Sequence, residues 1–78
     1  SHANFEGANL SSADLEGANL SGANLYNANL EGAILDDAIL NNAYLENAYL
    51  GNAKFRSAKL VGACLDGAVL IQANLDHA

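Results

Sequence analysis

Every fifth residue of the chain is leucine or phenylalanine, and the residue two before it is always alanine. The large positions run Phe5, Leu10, Leu15 and on to Leu75 without insertion, giving fifteen units of Ala-x-(Leu/Phe)-x-x between Ala3 and His77. A five-residue step around an α-helix turns about 500°, so successive leucines would scatter over the surface and leave no apolar stripe. In a strand, alanine and leucine two apart share a face, but an odd period reverses that face at each repeat unless the chain turns a corner. The pattern predicts short extended pieces joined by one bend per repeat, with alanine and the large residue inside.

The bend has its own signature two residues after each large position. Gly stands there at 7, 17, 22, 32, 62 and 67, Asn at 27, 42, 47 and 52, and Asp at 37. These residues tolerate positive φ, which the third residue of a type II turn requires. Ser12, Ser57, Gln72 and His77 break the rule, and type I or irregular turns are expected at those four corners.

Seventy-eight residues with a formal charge of −6 make one small acidic domain. Only Lys54, Arg56 and Lys59 are basic, which argues against direct nucleic-acid binding and against an anionic membrane surface. No stretch approaches the roughly 20 apolar residues of a transmembrane helix, so no membrane partner is expected. Cys64 is alone and forms no internal disulfide. Ser1-His2 reads as a tag remnant, and residues 3–78 as one repeat domain cut from a longer protein.

The units "ANLSG", "ADLEG" and "ANLEG" resemble the A(D/N)Lxx repeats of the pentapeptide repeat family, and the likeness runs from residue 3 to residue 77. It implies an all-β fold, a right-handed quadrilateral parallel β-helix of about four coils with four repeats per coil. The family is abundant in bacteria, so a bacterial, cytoplasmic setting is expected. Residues twenty apart then stack vertically, and at about 4.8 Å per coil the rod is on the order of 18 Å long. The inner ladders become Phe5/Leu25/Leu45/Leu65, Leu10/Leu30/Leu50/Leu70, Leu15/Leu35/Phe55/Leu75 and Leu20/Leu40/Leu60.

A filled rod with repeated outer faces offers no catalytic constellation. Ser11, Ser12, Ser21 and Ser57 have no internal histidine to act as base, and His2 and His77 lie at opposite ends. No enzyme activity, cofactor or metal site is expected. The outward amides Asn4, Asn9, Asn19, Asn24, Asn29 and Asn74 are few in carboxylates for a hard cation, and coil-to-coil amide hydrogen bonds are expected instead.

Two outer features invite a binding role. One face gathers Asp14, Glu16, Asp36, Asp37 and Asp76, with Arg56 in the column between Asp36 and Asp76. Some relatives resemble B-DNA in width and charge and act on DNA gyrase, so the resemblance implies a DNA-mimicking modulator of gyrase or topoisomerase as one reading. The other feature is a run of outward apolar residues: Tyr26, Ile34, Ile39, Tyr44, Tyr49, Val69 and Ile71. Tyrosine-bearing patches are favoured at contact surfaces. The first reading is therefore a non-enzymatic solenoid for protein–protein interaction or scaffolding, with Ile34, Ile39, Tyr44 and Tyr49 as main contacts. Self-association through the open rod ends or the apolar patch is also expected.

Overall fold

A computed structural model of the chain describes residues 3–71 and Leu75. Residues 3–22, 23–42 and 43–62 form three coils, and 63–71 begin a fourth. Each coil has four sides. Side one is built on Phe5, Leu25, Leu45 and Leu65, side two on Leu10, Leu30, Leu50 and Leu70, side three on Leu15, Leu35 and Phe55, and side four on Leu20, Leu40 and Leu60.

The turn follows from the repeat. In Phe5-Glu6-Gly7-Ala8 the Ala8 N–H donates to the Phe5 carbonyl at 2.9 Å, and φ is +68° at Gly7. Positive φ at the third residue alone defines a type II corner. Two of every five residues are spent on the corner, so each extended piece reduces to a single parallel bridge, as in Asn24↔Tyr44. Coils are then tied by three backbone bonds per side. Leu25 N–H donates to Tyr44 C=O (2.7 Å), Asn27 N–H to Glu46 C=O (3.0 Å), and Tyr44 N–H returns to Ala23 C=O (2.9 Å).

Two expectations about the corners need correction. Ser12 and Ser57, expected to make type I or irregular turns, take the same left-handed conformation as their neighbours, each at φ +61°. Their corner bonds form as well, from Ala13 N–H to Leu10 C=O at 3.1 Å and from Ala58 N–H to Phe55 C=O at 3.0 Å. The reason is stacking: Ser12 N–H is held by Glu31 C=O at 2.7 Å, so the coil above dictates the corner and the residue complies at a strain cost. Gln72 and His77 lie outside the described residues, as do His2, Asn74 and the suggested tag remnant.

The expected amide ladder is also absent among the described residues. Asn4, Asn9, Asn19, Asn24 and Asn29, and Asp14 with them, each use Oδ1 to accept the backbone N–H two residues on, at 3.0–3.2 Å. These are Asx turns, which preset the corner locally. Where Lys54 and Lys59 occupy that position, the coil below supplies the acceptor: Asp36 Oδ1 caps Arg56 N–H and Asn41 Oδ1 caps Val61 N–H, both at 3.0 Å.

The interior is a filled column. Leu25, Leu30, Leu35, Leu40, Leu45, Leu50 and Phe55 are fully buried, with the alanines from Ala23 to Ala58 packed between them. Phe5, Leu10, Leu15, Leu20, Leu60, Leu65 and Leu70 are only partly covered, because each lacks a coil on one side. Leu75, expected inside, is exposed at the same open end. Principal extents of 27 × 21 × 18 Å make the body a squat block. No helix among the described residues is long and apolar enough to cross a membrane.

Candidate functional site

One residue per side stands just before the core position, so four consecutive repeats point it in four directions. Ile34 falls on side three, Ile39 on side four, Tyr44 on side one and Tyr49 on side two. The structure therefore does not bring these four onto one surface. Ile34 and Ile39 are half-buried between Asp14 and Lys54 and between Asn19 and Lys59 respectively, where they cover the bridges above and below.

The tyrosines divide further. On side two, Tyr49 (40% exposed) sits above Asn29 and below Val69, and its ring leans over Gly51, where a Cβ would come within 3.3 Å of ring atoms. Val69 is half-buried and Ile71 exposed. Tyr49 thus spends part of its ring on the rod itself.

Side one is more open. Tyr26 and Tyr44 stand in adjacent columns and adjacent coils, 38% and 54% exposed. The Asx turn from Asn24 Oδ1 to Tyr26 N–H (3.0 Å) fixes the first, and Asn47 Nδ2 reaches its hydroxyl at 3.4 Å. Between them runs an open groove of about 520 Å³, lined by Asn4, Glu6, Asn24, Tyr26, Tyr44 and Glu46 among others. Glu46 Oε1 is shut off from solvent and has no hydrogen-bond partner. Behind the groove, Cys64 stacks on Tyr44. The Asp66 N–H facing its sulfur lowers the thiol's pKa, but the hydrogen bond the thiol donates to the Glu46 carboxylate, partial burial and the Glu46 and Asp66 charges together leave it raised.

Charge separates the sides in a way that sequence reasoning missed. Side one carries Glu6, Glu46 and Asp66 among the described residues and no lysine or arginine. Side three carries Asp14, Glu16, Asp36 and Asp37, but Lys54 and Arg56 share it. Arg56 Nη2 lies 2.7 Å from Asp36 Oδ2, and the Asp36 side chain is only 13% exposed. The Arg56 hydrogen bonds and charge, with Lys54 adding to them, hold the Asp36 carboxyl below its ordinary value against the opposing effect of burial. Asp76, the fifth acid expected on that side, lies outside the described residues. No group of three or more histidine, cysteine or carboxylate residues among the described ones has metal-binding geometry.

Known proteins place this architecture. The family model for pentapeptide repeats matches residues 3–42 and 33–70, in eight copies. Among curated proteins none matches significantly. Three solved structures are similar. A pentapeptide repeat protein, Rfr23, from the cyanobacterium Cyanothece is 45% identical with a TM-score of 0.79, over 81% of this chain and 44% of its own. HetL of the cyanobacterium Nostoc, described as involved in heterocyst differentiation regulation, is 39% identical with a TM-score of 0.69, over 94% of this chain and 38% of its own. A pentapeptide repeat protein of the Arabidopsis thaliana thylakoid lumen is 28% identical with a TM-score of 0.74, over 94% and 58%. The chain thus spans less than half the length of the first two.

Proposed function

The chain belongs to the pentapeptide repeat family, with that family's right-handed quadrilateral β-helix, and on that premise we propose that it is a non-enzymatic solenoid module for protein–protein interaction or scaffolding. The observation that carries the reading is the pair of adjoining tyrosine-bearing sides on a block whose interior is filled. Tyr26 and Tyr44 expose large ring area beside an open groove, and Tyr49 with Ile71 continues it around the corner. Rings of this kind contribute contact area at low conformational cost, which is why they concentrate binding energy at interfaces. Ile34 and Ile39 drop from the contact set, since they face the other two sides. The repeat proteins this chain resembles are in general structural modules rather than enzymes, and the part HetL plays in regulating differentiation is compatible with binding.

The alternative, a DNA-mimicking modulator of gyrase, has weaker support. On side three, the side that reading rests on, a mimic needs uncompensated charge, whereas Arg56 occupies Asp36 and Lys54 stands beside it.

The two readings part in a capture experiment with the immobilised chain in host-cell extract. Tyr44→Glu with Tyr49→Glu is expected to lose retained proteins that Asp14→Asn with Glu16→Gln keeps. The reverse pattern, with gyrase among the proteins lost, would overturn the proposal in favour of the mimic.

A further inference from the structure

We propose that the two ends of the rod are a complementary pair: the N-terminal edge of one copy seats on the C-terminal edge of a second, so that the chain assembles head to tail. The contact uses the ends and leaves the tyrosine-bearing sides free, so it is tested separately from the interaction reading above.

The polarity of the backbone carries the inference. Between coils, two N–H groups per side donate toward the C-terminal end, as Leu25 does to Tyr44 C=O and Asn27 to Glu46 C=O, and one donates back, as Tyr44 does to Ala23 C=O. On side one the first coil therefore presents two acceptors and one donor: the Asn4 and Glu6 carbonyls and the Asn4 N–H have no backbone partner among the described residues. The other end presents the reverse, two donors and one acceptor, in the Leu65 and Gly67 N–H groups and the Ala63 carbonyl. Head-to-tail contact satisfies all three groups of a side. Contact between like ends leaves a donor or an acceptor over on every side, and burying such a group is costly.

Two further features tell the ends apart. Residues 3–42 carry six acids and no base, whereas residues 43–71 carry two acids and all three bases, so unlike ends are drawn together on encounter. At the C-terminal end Leu60, Val61, Leu65 and Leu75 wall an apolar hollow of about 390 Å³. Val61 and Ile71 stand 76% and 67% exposed there, in the corner position that Glu6 and Glu16 hold in the first coil. Straight continuation of the columns would bring Glu6 over Asp66, like charge on like. A quarter-turn about the axis sets Glu6 and Glu16 over Val61 and Ile71 instead, and keeps the backbone match because every side repeats the same three groups. The contact joins two different surfaces, so it does not close on itself and gives an open stack.

The test is sedimentation velocity of the chain at rising concentration, with two edge variants whose folding is checked by circular dichroism. Val61→Glu with Ile71→Glu places acids on the C-terminal edge at exposed positions. Asn4→Pro with Asn9→Pro removes N–H groups that the first coil leaves unpaired and projects a ring from that edge. The parent should form a series of species extending past the dimer. Each variant alone should be monomeric, and an equimolar mixture should stop at a one-to-one pair, since each supplies the edge the other has lost. A parent that stays monomeric at its highest soluble concentration overturns the proposal. So does a proline variant that still pairs with itself, which means tail-to-tail contact, a glutamate variant that still pairs with itself, which means head-to-head contact, or a mixture that forms no pair. The glutamate variant should retain the same proteins as the parent in the capture experiment, so loss of the stack leaves the interaction reading standing.

Discussion

Asp36 and Arg56 are twenty residues apart and meet only because one coil stacks on the next, at 2.7 Å. A carboxyl held below its ordinary value stabilises the fold at pH above the carboxylate range, and that stabilisation is lost as the pH falls through the lowered value. The parent's melting temperature should therefore fall more steeply on acidification than that of Arg56→Gln. The two curves should separate near neutrality and converge by about pH 2. Parallel curves would mean that the pair does not contribute. At the corners, Ser57 carries a left-handed backbone that costs a residue with a Cβ roughly 1–2 kcal/mol, at φ +61°. Ser57→Gly should gain on the order of 1 kcal/mol after its own loss of unfolded-chain entropy, read as a higher urea midpoint. An unchanged midpoint would show the corner to be unstrained.

Within an element the decisive quantity is how many neighbours a rung has. Leu40 is fully buried between Leu20 and Leu60, whereas Leu10 lacks a coil beneath it. Leu40→Ala should cost about 2–5 kcal/mol, and Leu10→Ala clearly less. Equal losses by denaturant unfolding would contradict the stacked core. This layer of structure was legible in the sequence because one period specifies it: alanine two before each large residue can only be inside, and a corner must follow. The serine corners were not legible, since their conformation is imposed by backbone bonds from the coil above, such as Ser12 N–H to Glu31 C=O. The first-coil amides were misread for a related reason. An Asn two residues before an unpaired N–H satisfies it locally, and this takes the Oδ1 acceptor that a ladder would use.

For the whole molecule, surface character is a property of columns, and columns mix residues from distant repeats. Asp14 to Asp37 look like the acidic face because they are numerous, but Lys54 and Arg56 stack into them. Glu6, Glu46 and Asp66 lie far apart in the chain and gather on a side that has no base among the described residues, together with Tyr26 and Tyr44. Sorting residues by column exposes the charges; the open groove and the unpartnered Glu46 oxygen are visible only in three dimensions. Because Lys54 and Arg56 offset part of the side-three charge from within, the chain should leave gyrase supercoiling unaffected at low and moderate salt. Inhibition that fades with added salt would restore the mimic.

The most direct test of side one as the working surface is hydroxyl-radical footprinting of the chain, alone and bound to the proteins it retains. Tyr26 and Tyr44 should lose reactivity on binding, while Val61, exposed on side four, keeps its own. Unchanged tyrosines with protection at Val61 or along side three would contradict the account.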